Sequence, residues 1–134
     1  GKEEVALGTI GEVSSLIEEV ARAELSRDIG KAGLEVLAIV LYMGPITRSR
    51  IDYIRGVSSS FTLRNLLIRG LIERRENPED RRSMAYHPTL ELLAHLGVKK
   101  LSELPEYKDV RDELEKKEAA ALSETLAENT KEEE

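Results

Sequence analysis

Residues 54–72, "IRGVSSSFTLRNLLIRGLI", decide the fold. A glycine, a run of serines and then leucines at three-to-four spacing read as turn, cap and helix. Leu63, Leu66 and Leu67 form the inward face, Ser58 or Ser59 is the expected cap, and Gly70 closes the element. Immediately upstream, "ITRSRIDYIRG" (46–56) reads as a short helix with Thr47 as cap, Ile51 and Ile54 buried and Gly56 as stop. Before that, "AGLEVLAIVLYMG" (32–44) is apolar around most of its circumference, the pattern of a central helix. Leu34, Leu37, Val40 and Leu41 make one face, Val36, Ile39 and Met43 widen it, and Gly44-Pro45 ends it. Downstream, "LIERRE" and "RRSMAYHP" are strand candidates joined by Asn77-Pro78-Glu79-Asp80, a strong turn signal. Helix, short helix, tight turn, helix and hairpin make a winged helix-turn-helix. The expected fold class is therefore mostly α, a winged helix-turn-helix with flanking N- and C-terminal helices. A plain helical bundle carrying a surface hairpin is the alternative.

The flanks are helical too. "VALGT" (5–9) is a short strand candidate. Thr9 and Glu12 have capping-box spacing, and Val13, Leu16, Ile17, Val20 and Ala23 follow as one apolar stripe. "TLELLAHLG" (89–97) reads as a helix capped by Thr89, with Leu90, Leu93 and Leu96 inward. "YKDVRDELEKKEAAALSETLAEN" (107–129) is a charged amphipathic helix whose thin stripe is Val110, Leu114, Ala121 and Leu122. That stripe either packs on the winged helix or meets another chain. "KEEE" closes the sequence as an acidic tail expected to fray.

Composition narrows the function. The 134 residues are 40% hydrophobic and 34% charged, with no Trp, one Phe and no Cys. Disulfides, thiolate zinc sites and a Cys nucleophile are excluded. The longest apolar run, Val36 to Met43, is far short of the ~20 residues a membrane helix needs. No basic-then-apolar segment opens the chain, and Gly1 suggests a piece of a longer protein; a reducing, cytoplasmic setting is expected. The formal net charge of −6 is unevenly spread. Residues 44–88 carry nine Arg and five acidic residues, between two acidic flanks. His87 and His95 are the only histidines, without Asp or Glu at metal-ligand spacing. Ser58-Ser59-Ser60 reads as capping, since no His-based triad can be assembled around it. The glycines show no phosphate-binding pattern. No catalysis, metal or cofactor is expected, and the four tyrosines read as half-buried amphipathic residues.

From Gly33 to Tyr107 the sequence resembles the second winged-helix domain of the segregation and condensation protein B (ScpB) family. The marks are "AIV" and "PITR" with "ID" and "IRGV", then "LLIRGLI", the hairpin, and "LGVKKLSELPEY". On this resemblance, residues 1–29 are the last strand and helix of a preceding winged-helix domain that is mostly absent. Residues 30–104 are the winged helix, and 105–134 a C-terminal helical extension and acidic tail. The resemblance implies a non-catalytic accessory subunit of the bacterial SMC chromosome-condensing complex, associated with the nucleoid and binding the kleisin ScpA and, through it, SMC. The family forms homodimers largely through its first domain, so dimerisation is not expected of this chain.

The residues themselves bear on whether the reading helix touches DNA. Opposite the leucines, at ~100° per residue, lie Phe61, Arg64, Asn65 and Ile68. In DNA readers this face is rich in polar and basic side chains that reach base edges. Two large apolar residues here suit a protein partner, with Arg64 and Asn65 giving polar definition. Alternatively Phe61 and Ile68 fold back under the wing or a flanking helix. Arg74, Arg75, Arg81 and Arg82 on the wing are candidates for weak phosphate contact. Glu73, Glu76, Glu79 and Asp80 are interleaved with them and are expected to pair locally. Arg48, Arg50 and Arg55 read as a solvated face, with Arg55 bracing the turn. A winged-helix DNA-binding transcriptional regulator is the rival reading.

Overall fold

A computed structural model describes residues 28–133; the strand and helix expected before Arg27 lie outside the described residues. The order is α1 (Gly30–Met43), α2 (Arg48–Arg55), α3 (Ser60–Ile68), β1 (Ile72–Asn77), β2 (Asp80–Pro88), α4 (Leu90–Leu96), a 3-10 turn (Leu101–Glu103) and α5 (Tyr107–Glu133). This is a mostly helical winged helix-turn-helix. Helix α5 continues through the expected acidic tail to Glu133.

Helix α1 is the axis of the core. Val36 through Met43 are all buried, an unbroken run that only a helix surrounded by other elements tolerates. It ends at Gly44, where an added Cβ would lie 2.6 Å from the carbonyl oxygen of Val40. Ile46 then exchanges two backbone hydrogen bonds with Tyr86, at 3.1 and 2.8 Å, so the chain brushes the hairpin as an isolated bridge before turning into α2. Thr47 caps α2, its Oγ1 accepting from the Arg50 amide, and Gly56 ends it in the left-handed region at φ 79°. Ile51 and Ile54 face the core with Leu63 and Leu66 of α3, Leu71 just before β1 and Ile72 at its start.

The hairpin is antiparallel, from Ile72 opposite Pro88 to Glu76 opposite Met84, with an irregularity at Glu76/Asn77 beside the turn. Thr89 links the wing to the helix after it. Its hydroxyl donates to the Gly70 carbonyl at 2.9 Å and accepts from the Leu92 amide at 3.2 Å.

Two details differ from the expectation. In α4, Leu92 and Leu93 are buried and Leu90 faces solvent. Thr89 as cap puts Leu90 at the first helical position, and the entry angle set by its bond to Gly70 turns Leu92 inward instead. Tyr42 is fully buried rather than half-buried. Its hydroxyl is satisfied by the Pro105 carbonyl at 2.8 Å, and its ring stacks on Tyr107 at 6.2 Å.

Candidate functional site

The turn between α2 and α3 is held by polar side chains that fix where α3 points. Ser59 occupies the N-cap position, but its hydroxyl makes no capping bond. Instead Asp52 Oδ1 accepts from the Ser59 amide at 2.8 Å, and the buried Ser59 hydroxyl accepts from Arg55 Nη1 at 3.1 Å. Arg55 Nη2 reaches Glu35 of α1 at 3.3 Å, so one guanidinium ties together α1, α2 and the start of α3. The side-chain cap expected of Ser59 is thus absent, and Asp52, seven residues upstream, holds the amide of the N-cap residue instead. Ser58 supplies a weaker bond, its Oγ accepting from the Ser60 amide at 3.4 Å.

With Leu63 and Leu66 buried and Leu67 packed against the core, the opposite side of α3 is open. Phe61 is 82% exposed and Ile68 76% exposed. They lie seven residues apart, almost superposed along the helix axis. Arg64 is exposed between them and Asn65 is half-buried beside it. The four residues singled out from sequence therefore share one face, and neither apolar side chain folds back under the wing or α5. Covering two such side chains would remove ~25 cal/mol of unfavourable hydration per Å² of apolar surface.

The wing arginines do not form one cluster. Arg75 Nε donates to Glu73 Oε2 at 2.7 Å and Arg82 Nε to Asp80 Oδ1 at 3.4 Å. Both pairings run along a single strand, two residues apart, rather than across the hairpin. Among the described residues no ion pair engages Arg64, Arg74 or Arg81.

The basic residues of α2 are less solvated than their sequence suggested. Arg55 is nearly buried in the turn, and Arg50 makes a two-pronged contact with Glu118 of α5. The hydrogen bonds that Arg50 donates to Glu118 raise its pKa above the ordinary value, against partial burial, which lowers it. An i, i+4 pattern reveals pairs within one helix, whereas residues 50 and 118 are brought together only by docking of α5. Arg48 remains on the surface, donating to Ser60 Oγ at 3.1 Å and lying 3.8 Å from Asp52.

Neither histidine belongs to this surface. His87 Nδ1 contacts the Pro88 carbonyl at 2.9 Å, and His95 is exposed on α4. Among the described residues no three His, Asp or Glu side chains converge as metal ligands. No described helix is long and apolar enough to cross a membrane.

Fold and surface together define a winged helix-turn-helix protein whose third helix shows solvent a mixed apolar and basic face. The chain belongs to the family of the segregation and condensation complex subunit ScpB, whose model matches residues 2–107. It is 39% identical over 115 residues to segregation and condensation protein B of Lactobacillus delbrueckii subsp. bulgaricus, covering 82% of this chain and 56% of that protein. Against the protein of the same name from Geobacillus thermodenitrificans it is 38% identical over 129 residues, covering 95% and 62%. The crystal structure of ScpB from Mycobacterium tuberculosis aligns at 36% identity and a TM-score of 0.48, over 65% of this chain and 52% of that one. The chain spans little more than half the length of these curated relatives.

Proposed function

We propose that the chain is a non-catalytic part of an accessory subunit of the bacterial SMC chromosome-condensation complex. It acts in chromosome segregation, in the cytoplasm at the nucleoid, by binding the kleisin ScpA and through it SMC. The outward face of α3 is the docking surface: Phe61 and Ile68 are the apolar anchors, and Arg64 and Asn65 define the orientation. Residues 1–29 are the end of a preceding winged-helix domain, 30–104 the docking domain and 105–134 its helical extension. No cofactor or metal takes part. Homodimerisation of the whole subunit rests on the preceding winged-helix domain.

The observation that carries the reading is the pair of exposed apolar side chains on a helix whose turn is rigidly held. A helix that reads base edges needs polar groups at those positions. A protein interface uses large apolar anchors ringed by polar groups.

The test is a parallel titration with a purified kleisin middle region and with a random DNA duplex at ~50 mM salt, where phosphate contacts are strongest. Kleisin binding that is lost in the Phe61→Asp, Ile68→Asp double variant, with folding intact by circular dichroism, is the expected result. Kleisin binding unchanged in that variant overturns the assigned surface. Salt-sensitive duplex binding that collapses when Arg64, Arg74, Arg75, Arg81 and Arg82 become Ala, without kleisin binding, supports a DNA-binding regulator instead.

A further inference from the structure

Beside the apolar anchors lies a cavity of about 350 Å³ lined by Arg48, Ser60, Arg64, Leu67, Arg74 and Tyr86. Four elements contribute to it: α2 gives Arg48, α3 gives Ser60, Arg64 and Leu67, β1 gives Arg74 and β2 gives Tyr86. Three arginines line one small space, and no acidic residue lines it. Arg64 and Arg74 have no ion-pair partner among the described residues, and Arg48, which donates to Ser60 Oγ, has a single ion-pair contact there, 3.8 Å from Asp52. An anion entering this space meets several cationic side chains and no competing acidic residue. Guanidiniums bind carboxylates through paired N–H donors, and the Ser60 and Tyr86 hydroxyls add neutral donors.

We infer that this cavity receives an acidic side chain from the protein segment that covers Phe61 and Ile68. The inference rests on the proposed function. The ligand is a carboxylate carried on an amphipathic stretch of a protein partner, with apolar side chains on either side of the acid. Arg64 connects the two features, because it lines the cavity and sits between Phe61 and Ile68 on α3.

A nucleic-acid phosphate fits less well. A DNA backbone presents charge at every few ångströms and needs a track of several unpaired cations. Here two of the three other wing arginines, Arg75 and Arg82, are already engaged by Glu73 and Asp80, which leaves Arg81. The chain as a whole carries a formal charge of −6, which opposes a polyanion at longer range but little affects a single carboxylate in contact with arginines.

The experiment measures kleisin affinity for the unaltered chain, for Arg64→Glu, for Arg74→Glu, and for the Phe61→Asp, Ile68→Asp double variant. Each charge reversal is expected to weaken binding by about ten- to a hundredfold, the range for a charged hydrogen bond. Each acidic residue of the kleisin segment is then changed in turn to Lys. One such change is expected to restore affinity to Arg64→Glu or Arg74→Glu while weakening binding to the unaltered chain. Loss of binding in the apolar double variant with no loss in either Arg variant overturns the cavity assignment and leaves the docking surface standing. No loss in any variant removes both. Arg variants that bind the kleisin normally but lose a duplex at ~50 mM salt assign the cavity to phosphate and overturn the proposal.

Discussion

Arg50 on α2 grips Glu118 on α5 with two hydrogen bonds, Nε to Oε2 at 2.8 Å and Nη2 to Oε1 at 3.0 Å, across 68 residues of chain. The Arg50 side chain is 40% exposed and that of Glu118 16%, so the pair sits at the edge of the α2–α5 contact rather than in the core. A fork-on-fork contact of this kind fixes orientation as well as distance.

Replacing Arg50 by Ala is expected to destabilise the chain by about 1 kcal/mol, because one partner is half in water and the attraction is screened. Glu118→Gln should cost about the same, and the double variant little more than either alone, which denaturant titration of all four proteins measures. Arg50's pKa is raised in the folded state, so its contribution is complete below the ordinary arginine range and is lost only as pH climbs above it. The stabilisation is therefore flat through neutral pH, and a difference between unaltered chain and Arg50→Ala that changes between pH 7 and 9 would contradict this account.

Leu114→Ala tests the anchoring of α5 more severely. Leu114 is 1% exposed and belongs to the main core cluster with Val110. Truncation removes three buried carbons and leaves a cavity, for a loss of about 2–4 kcal/mol. Leu126→Ala, on the same helix but 61% exposed, is expected to change stability by less than about 0.5 kcal/mol.

Asp52→Ala removes the acceptor for the Ser59 amide. The expected loss is about 1–2 kcal/mol, the range of an N-terminal capping contact. Because this bond sets the direction of α3, partner affinity should fall with it although Asp52 is not on the proposed docking face. Thermal melts and the kleisin titration run together check both effects, and unchanged affinity in a destabilised variant would confine Asp52 to a role in stability.

Much of this fold can be read from the chain, and the reasons are local. Thr47 and Gly56 bracket α2 as their side-chain and backbone chemistry dictates, and Asn77-Pro78-Glu79-Asp80 turns the hairpin. The four residues of the α3 face follow from helical phase alone, once Leu63 and Leu66 are taken as inward. What sequence left hidden is long-range or depends on entry angle. Arg50 and Glu118 are ordinary charged residues until α5 docks. Asp52 looks like a solvated partner for its helical neighbours, yet it caps the next helix. Leu90 was expected inward because every third residue of α4 is Leu, but the path from Gly70 through Thr89 selects Leu92. The three arginines of the cavity, Arg48, Arg64 and Arg74, come from three different elements, and no spacing rule relates positions 48, 64 and 74.

Helix α5 has unequal halves. From Tyr107 to Glu118 it is fastened by Val110, Leu114, the Arg111 bond to the Tyr42 carbonyl and the Arg50 fork. Beyond Glu118 only Ala121 and Thr125 are half covered, while Leu122 and Leu126 face water. A helix of about a dozen residues with so little support is marginal on its own propensity. The first half belongs to the cooperative unit of the domain, and its amides open only when the whole fold opens. The second half melts from its far end on its own account, so a single melting temperature will describe α1 through Glu118 but not the remainder of the helix.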